Sequence, residues 1–503
     1  MKNENNSKQN SEGSSGDFLE LKNNRYIMDK NCSEKFLTIK NKKPESHQTD
    51  GSDYEWSEIG MASLFHEVYE DEASYCPEWR TWLVYHTGKW VRDEGAILVS
   101  EKLKEFVRLM IIYCGEIEDD DKRKAYTIFV NKMGDRRMRD RILKDATGEF
   151  RKPACEFDKD AYLINCKNGT YNLKDFTFYP ARASDYITMQ TNFDFTVNRE
   201  VSCPRWEKFI DEVTEGDQEK ADFLQRALGY SIIGMSNEEC MFILYGKTTR
   251  NGKSTLLNTI EEMMGDYATV APVGIICRGD RKRDEEAASP TLAGLKGKRI
   301  VTMAESNEYG ALDEERIKQM TGGEEITARA LYQSAITYKP QFTLWLSCND
   351  LPAVRDKSLF ASNRIKVIEF TKHFSPKEQD THLKDELLSP KNMKGIFMWL
   401  IVGWRHYLSE GLKMPDSIAA SARRYEEVND LTLQFLRAYC QKDASKKITR
   451  TELHKRYKMW CRSESYHPLS GNRFRDDMER HSDWYDQYED DTYIGLGLKD
   501  VMS

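Results

Sequence analysis

The segment from residue 240 to residue 260 constrains the fold of this chain more than any other part. Residues 240–245 are a continuous apolar run followed by a glycine, which is typical of a strand buried on both faces of a parallel sheet. Residues 254–260 continue with helical periodicity. A buried strand, a glycine-containing loop and a helix in this order predict an α/β core.

The loop between strand and helix has the sequence GKTTRNGKST, residues 246–255. Backbone N–H groups near Gly252 and the positive end of the helix dipole favour a polyphosphate. We therefore expect ATP here, with Lys253 bridging its β- and γ-phosphates and the Ser254 hydroxyl on Mg²⁺. The alternative is an ordinary glycine turn with a solvated lysine. The expected nucleotide-binding residues are Gly246, Asn251, Gly252, Lys253, Ser254 and Thr255.

The spacing of the two glycines departs from the usual G-x-x-x-x-G-K-[ST] pattern. Five residues separate Gly246 from Gly252, one more than the pattern has. The GKST end of the motif is unchanged. The role of Gly246 is therefore the part of the motif that the sequence supports least.

Two further apolar runs, residues 299–304 and 342–348, predict neighbouring strands of the same sheet. Glu305 follows the first run, where a carboxylate can hold Mg²⁺ and position water, or simply be a solvated strand-end group. Asn349 follows the second run. Its amide can sense the γ-phosphate or hold the attacking water, or it can be a plain turn residue.

Arg364 precedes another apolar stretch, residues 365–370, and allows two interpretations. It can cap the surface of its own subunit. In a ring of subunits it can instead reach a neighbour's ATP and stabilise the transition state, an effect of roughly 10³–10⁵ in rate where measured.

The order of these features, within a little over one hundred residues, resembles the superfamily 3 helicases, the AAA+-like ring motors of viruses, phages and plasmids. Residues 304–306 (AES), 318–332 (KQMTGGEEITARALY) and 342–352 (FTLWLSCNDLP) resemble the poxvirus-type helicase-primase branch of that superfamily. Further similar segments are residues 163–169, 203–206, 224–230 and 493–498, so the resemblance covers about residues 56–500.

Two departures from the family pattern concern carboxylates. Many superfamily 3 motors carry two adjacent acids at the strand end, whereas Glu305 is flanked by alanine and serine. Either Glu305 carries both the metal and the water roles, or Glu308 or Glu324 assists. The family's Gly-Gly-Asp also stands here as Gly-Gly-Glu, residues 322–324.

The resemblance implies that the segment after residue 323 forms a loop and hairpin facing a central channel. Arg329, Tyr332 and Lys339 are then candidates for gripping single-stranded DNA, with charges on phosphates and the aromatic ring on a base or sugar. Lys318 is a further candidate. The alternative is that Arg329 and Tyr332 pack within the subunit.

The fold class predicted for the chain is α/β: an AAA+-like P-loop ATPase core with a mixed α/β N-terminal domain and a C-terminal winged-helix domain. The predicted domains are a disordered tail (1–55), the N-terminal domain (56–200), a helical collar (201–235), the ATPase domain (236–375), a helical extension (376–427) and the winged-helix-like domain (428–503). Hairpin turns are predicted at residues 87–89 and 168–169, and a terminal hairpin over residues 484–498.

Basic clusters in residues 446–456 and 472–475 could place the C-terminal domain against duplex origin DNA, although a solvated face is the commoner role of such clusters. The acidic residues 488–491 argue against that tip entering DNA. The acidic run at residues 119–121 lies among other charges and predicts a solvated helix or loop. We therefore expect no primer synthesis by this chain, with any primase a separate partner.

Composition excludes several classes. Eleven cysteines without a C-x-x-C pair argue against a disulfide framework and a zinc ribbon, and favour a reducing compartment. No apolar run reaches the roughly 20 residues of a membrane helix, and no secretory signal is visible. The cytoplasm of a bacterial host is therefore the expected location. The net charge of −8 gives nucleic-acid binding no support from the total alone.

The resulting expectation is a ring-forming, ATP-dependent DNA helicase, a homo-oligomer and by resemblance a hexamer, that replicates a phage, plasmid or mobile element. The alternative is an origin-binding or loading protein controlled by nucleotide but lacking processive unwinding. A small-molecule kinase is disfavoured because no lid or acceptor-pocket motif is evident.

Overall fold

The computed structural model describes residues 20–22, 25–27, 30–44, 54–196, 202–278, 289–304, 310–354, 358–464 and 466–499. The chain divides into two compact units. Unit 1 comprises residues 1–190 and 329–336, and unit 2 comprises residues 191–328 and 337–503.

Unit 1 combines helices with small antiparallel sheets. Its elements are β1 (Glu20–Lys22), β2 (Arg25–Ile27), α1 (Lys30–Lys42), α2 (Glu58–Tyr69), β3 (Ala73–Cys76), β4 (Thr81–His86), β5 (Lys89–Asp93), α3 (Ile97–Tyr113), α4 (Asp120–Met133), α5 (Arg136–Glu149), β6 (Leu163–Cys166), β7 (Gly169–Asn172) and β8 (Thr177–Tyr179). β3, β4 and β5 form one three-stranded sheet, and β6, β7 and β8 form another. The mixed α/β character expected of the N-terminal region is confirmed.

Both hairpin turns predicted in this unit are present. β4 and β5 are joined by Thr87 and Gly88, which have φ angles of 49° and 82°. Positive φ at both positions suits the twist of a two-residue hairpin, and glycine adopts it without strain. The second turn lies one residue earlier than predicted, at residues 167–168, because Gly169 already pairs with Cys166.

The prediction of a disordered tail over residues 1–55 is wrong for residues 30–42, which form α1. Cys32, Lys35 and Ile39 are buried along one face of this helix. The Lys35 Nζ atom lies 2.9 Å from a Glu72 oxygen and 3.1 Å from a Glu105 oxygen. A buried ammonium on this helix is therefore paired with carboxylates distant in sequence. The acidic run at residues 119–121 behaves as predicted, since Asp119 caps the N-terminus of α4.

Unit 2 is built around a five-stranded sheet. Its elements up to the sheet's last strand are α6 (Pro204–Thr214), α7 (Gln218–Ser231), β9 (Met241–Tyr245), α8 (Lys253–Met264), β10 (Ala268–Val270), α9 (Pro290–Ala293), β11 (Ile300–Ala304), α10 (Glu314–Thr321), β12 (Ile326–Ala328), β13 (Ile336–Tyr338), β14 (Thr343–Cys348), α11 (Ser358–Ala361) and β15 (Ile365–Glu369). The sheet order is β10-β11-β14-β9-β15, and every pairing is parallel. The predicted parallel sheet is therefore confirmed, with β9, β11 and β14 at the three apolar runs.

Two helices pack very closely beside this sheet. They are α7 and α13 (Pro390–Glu410), the latter preceded by α12 (Leu383–Leu387) and followed by α14 (Asp416–Asn429). A Cβ atom on Gly229 of α7 would lie 2.3 Å from the backbone nitrogen of Trp404, so only glycine allows this approach. The Trp345 indole in β14 donates a hydrogen bond to Ser231 at 3.0 Å and fixes α7 to the sheet.

The C-terminal part of unit 2 has its own apolar core. It contains α15 (Leu431–Tyr439), β16 (Cys440–Thr449), α16 (Arg450–Ser463), α17 (Gly471–Arg480), β17 (Gln487–Glu489) and β18 (Thr492–Leu498). The three strands form an antiparallel sheet in the order β16-β18-β17. The predicted terminal hairpin is present, with Asp490 and Asp491 at its turn. Within the described residues, every helix is too short or too polar to cross a lipid bilayer.

Candidate functional site

The loop of residues 246–252 lies at the carboxyl edge of the five-stranded sheet. β9 ends at Tyr245, which pairs with Cys348 of β14 on one side and with Glu369 of β15 on the other. Strands that follow β9 in the chain therefore lie on both of its sides, a topological switch point at which ligands of parallel sheets bind. The helix α8 begins immediately after the loop, and among the described residues no side chain caps its first turn. The N–H groups of that turn can therefore serve an anion.

Glycine is required at both ends of this loop. A Cβ atom on Gly246 would lie 2.6 Å from the carbonyl oxygen of Phe370 and 2.4 Å from the Asn251 amide nitrogen. Gly252 has a φ of 88°, and a Cβ atom there would lie 2.5 Å from a methyl carbon of Val213 in α6. The close packing around Gly246 explains why a glycine stands at this position, which the spacing of the loop did not explain.

Lys253 and Asn349 meet at the centre of the site, although 96 residues separate them. The Lys253 ammonium donates to the Asn349 side-chain oxygen at 2.9 Å and to the carbonyl oxygen of Gly246 at 3.0 Å. The lysine side chain is only 5% exposed. A buried ammonium at a helix N-terminus favours an anion, because the low local dielectric weakens screening.

The remaining loop residues hold the backbone in place. The buried Asn251 side chain donates to the carbonyl oxygen of Thr248 at 2.6 Å, which closes the loop on itself. The backbone N–H of Phe374 donates to the carbonyl oxygen of Arg250 at 2.9 Å. Ser254 is exposed and Thr255 is partly buried at the start of α8. The Ser254 hydroxyl is thus accessible to a ligand in the loop.

A cavity of about 400 Å³ adjoins the loop. Its lining includes Gly246 and Phe370 together with Arg424 and Tyr425 of α14. The Arg424 guanidinium donates to Glu369 at 2.7 Å. Burial raises the pKa of the Tyr425 hydroxyl well above its ordinary value, so it remains a neutral donor. Sequence reasoning missed the α14 residues, since they follow the loop by more than 170 positions and carry no motif.

The carboxylate predicted at the end of β11 is that of Glu305. Glu305 and its possible assistant Glu308 lie outside the described residues. β11 ends at Ala304, which pairs with Ser347 of β14. This strand therefore ends at the same edge of the sheet as the loop. Glu324, the other possible assistant, is exposed.

Arg364 lies at the opposite edge of the sheet from the loop. It immediately precedes β15, whose first residue pairs with Met241, the first residue of β9. Arg364 is therefore separated from the loop by the length of β9, which is about 16 Å at roughly 3.3 Å per residue. Its guanidinium donates to the Thr321 hydroxyl at 2.8 Å and forms an ion pair with Glu239. Arg364 and Lys253 therefore do not share one site within a single chain.

Three of the four predicted DNA-binding residues lie on one hairpin, formed by β12 and β13. The hydroxyls of Thr327 and Thr337 are 3.0 Å apart across the two strands. Tyr332, at the tip, is 96% exposed with a φ of 62°. Packing of Tyr332 within the subunit, the alternative considered above, is thereby excluded.

The other predicted DNA-binding residues differ in exposure. Arg329 and Lys339 are exposed on the same hairpin. Lys318, in contrast, is half-buried on α10 and donates to the Ser358 hydroxyl at 2.6 Å. The structure therefore brings an arginine, a tyrosine and a lysine to one hairpin and places Lys318 apart.

Comparison with protein families identifies three matching regions of the chain. A family described as D5 N terminal like matches residues 62–215, and one described as Poxvirus D5 protein-like matches residues 427–489. These two matches support the similarity of the chain to the poxvirus D5-type superfamily 3 helicases. Between these two regions, residues 244–364 match a family of unknown function, and this region contains the loop, Asn349 and Arg364.

Curated relatives of this chain include viral proteins named as candidate helicases. L207/L206 of Acanthamoeba polyphaga mimivirus is 26% identical over 419 residues, which cover 76% of this chain and 43% of the relative. The 022R protein of Frog virus 3 is 25% identical, covering 50% and 27% of the two chains. V13 of the Sputnik virophage is 28% identical, covering 37% and 25%. The chain thus spans less than half the length of each of these relatives.

Solved structures similar to this chain include two apo structures of the NrS-1 C-terminal region. Both are 12% identical in sequence, with TM-scores of 0.41 and 0.43. They cover 71% and 73% of this chain and 72% and 74% of their own. The relatives named above come from viruses of eukaryotes, so the expected bacterial host gains no support from them.

Proposed function

We propose that this chain is an ATP-dependent DNA helicase that acts as a ring of identical subunits, with six as the family's form. The observation that carries the proposal is the contact between Lys253 and Asn349 at the carboxyl edge of the parallel sheet. A buried lysine, a polar strand-end amide and an uncapped helix N-terminus meet there. These are the groups that hold and sense a terminal phosphate.

The residues present fit ATP and Mg²⁺. The backbone at Gly246 and Gly252 packs so closely against neighbouring atoms that no Cβ atom fits at either position. A loop whose backbone N–H groups cradle a phosphate requires such glycines. Lys253 would contact the β- and γ-phosphates, and the Ser254 hydroxyl and Glu305 would hold Mg²⁺. Bound ATP would supply the phosphoryl group, and bound Mg²⁺ would neutralise its charge. The neighbouring cavity offers space for the remainder of the nucleotide.

Arg364 supports a ring because it cannot serve the loop of its own chain. Its position at the amino edge of the sheet suits an arginine that reaches the nucleotide of an adjacent subunit, where Glu239 would have to release it.

Lys253→Ala and Arg364→Ala proteins should each be inactive as ATPases. An equal mixture of the two should regain activity, since about one quarter of randomly mixed interfaces pair an intact lysine with an intact arginine. A mixture as inactive as its components would exclude action between subunits.

The DNA contacts of this proposal are made by the exposed hairpin, with Tyr332 at its tip and Arg329 and Lys339 on its arms. An aromatic ring and flanking charges bind single strands without sequence preference. The C-terminal part of unit 2 has three helices and a three-stranded antiparallel sheet, which favours a winged-helix domain that binds duplex DNA.

The test is unwinding of a forked DNA duplex by the purified full chain in the presence of ATP and Mg²⁺. The unmodified protein should displace the strand, and Lys253→Ala should abolish displacement. Lys377→Ala, which removes an exposed lysine of the same unit, is the matched control and should unwind normally. Duplex binding without strand displacement by the unmodified protein would favour the alternative, an origin-binding or loading protein.

A further inference from the structure

Three side chains that play no part in the proposed helicase function converge in the C-terminal part of unit 2. They are Asp430, which precedes α15, Asp477 in α17, and His481, which follows α17. One ligand atom of each lies within 4.8 Å of the others. Asp477 and His481 are four residues apart, which places them on the same face at the end of a helix.

All three groups are removed from solvent. The side chains of Asp430 and Asp477 are each 8% exposed, and that of His481 is 12% exposed. Taking a carboxylate out of water is costly unless a cation or hydrogen-bond donors replace its hydration. Asp430 uses one oxygen, Oδ1, to accept the backbone N–H of Leu433 at 2.8 Å. Its other oxygen faces the histidine.

The imidazole is oriented towards the cluster without a directed hydrogen bond. Its Nε2 atom lies 2.9 Å from Oδ2 of Asp430. Among the described residues, this buried nitrogen nevertheless has no hydrogen-bond partner. A nitrogen and an oxygen that lie close together without a hydrogen bond are placed as two ligands of one metal ion would be.

The spacing of the ligand atoms is close to that of a metal site. Two ligands at about 2.1 Å from one metal ion are at most about 4.2 Å apart. Ligands arranged tetrahedrally at that distance are about 3.4 Å apart, so groups within 4.8 Å of one another need to move closer by at most about 1.4 Å. One imidazole nitrogen and two carboxylate oxygens form a ligand set that suits divalent first-row transition metals.

We propose that Asp430, Asp477 and His481 bind a divalent transition-metal ion such as Zn²⁺ or Mn²⁺. The ion ties the start of α15 to the end of α17 and neutralises two buried carboxylates. The competing account is that a protonated His481 forms an ion pair with Asp430, assisted by Arg480, whose guanidinium lies 3.8 Å from Asp477.

The test is metal binding by the full chain after treatment with EDTA and without nucleotide, so that the phosphate loop does not contribute. Mn²⁺ binding is followed by electron paramagnetic resonance, because Mn²⁺ avoids the chain's cysteines. Zn²⁺ content is measured after equilibrium dialysis. The unmodified protein should bind one Mn²⁺ per chain. His481→Gln and Asp430→Asn should each weaken binding at least tenfold, and asparagine preserves the helix cap. His467→Gln, which removes an exposed histidine of the same region, should bind normally.

Two results would overturn the proposal. One is an unmodified protein that binds no Mn²⁺ and retains no Zn²⁺ after dialysis. The other is a folded His481→Gln protein that binds as tightly as the unmodified chain. If both cluster variants fail to fold, the thermal unfolding of the unmodified protein decides. It should shift upward with Mn²⁺ and not with equal Mg²⁺, and the absence of a shift would contradict the site.

Discussion

Replacing Gly252 by alanine tests whether the loop is shaped by the close packing that the structure shows. The residue has a φ of 88°, in the left-handed region, where a side chain costs about 1–2 kcal/mol. The added Cβ atom would also lie 2.5 Å from a methyl carbon of Val213. Overpacking of this kind costs roughly 1–3 kcal/mol more. The two effects together predict a loss of about 2–5 kcal/mol.

Gly216→Ala separates the two effects. This residue has a φ of 76°, but none of the described residues has an atom within 4 Å of its hypothetical Cβ atom. It should therefore cost only the backbone part, about 1–2 kcal/mol. Unfolding in urea measures both losses, and titration with a fluorescent ATP analogue measures nucleotide affinity. Gly252→Ala should bind the analogue at least tenfold more weakly, whereas Gly216→Ala should bind it normally.

A second substitution tests the cause of the clash. Val213→Ala in the Gly252→Ala background removes the methyl group in conflict and should recover the overpacking part of the stability loss. The reasoning is refuted if Gly252→Ala is no less stable than Gly216→Ala and binds the nucleotide analogue as tightly as the unmodified protein does.

Three other substitutions test individual residues. Asn349→Ala removes an acceptor from the Lys253 ammonium, a bond worth about 1.5–3 kcal/mol, and should lower kcat for ATP about 10–100-fold in a steady-state assay. Tyr332→Ala should weaken binding of single-stranded DNA by about 1–3 kcal/mol in fluorescence anisotropy, with ATP hydrolysis in the absence of DNA unchanged. Lys35→Met should destabilise unit 1 by about 3–5 kcal/mol in urea unfolding, whereas Lys30→Met, at a side chain 93% exposed, should cost less than about 0.5 kcal/mol. Burial lowers the pKa of Lys35, but two glutamates raise it above its ordinary 10.5, so this stabilisation should be complete below pH 10.5 and lost at higher pH.

Much of the sheet could be predicted from the sequence because its central strands are buried on both faces. β9, β11 and β14 are therefore continuous apolar runs, and their boundaries were predicted to within one residue. β10 was missed since it has three residues and its Val270 side chain is exposed at the sheet edge. The helix α1 was missed because a lysine occupies its buried face, and its glutamate partners are distant in sequence.

In the candidate site too, some residues are marked by the local sequence, whereas others are brought together only by the fold. A local motif marks Lys253, and a strand end marks Asn349, but only the pairing of β14 with β9 brings them together. The register of β15 likewise places Arg364 at the far edge of the sheet, which sequence spacing cannot reveal. The contribution of Arg424 and Tyr425 to the neighbouring cavity depends on how α14 packs against β15. Non-local packing of this kind leaves no motif.

The most direct test of the central claim is ATP hydrolysis by the full chain with and without single-stranded DNA. The unmodified protein and the Lys377→Ala control should hydrolyse ATP with Mg²⁺, and single-stranded DNA should accelerate both. Lys253→Ala should lose at least 100-fold in rate, because the buried ammonium that would contact the phosphates is gone. Equal hydrolysis by the unmodified protein and Lys253→Ala, or hydrolysis that single-stranded DNA leaves unchanged, would contradict the account.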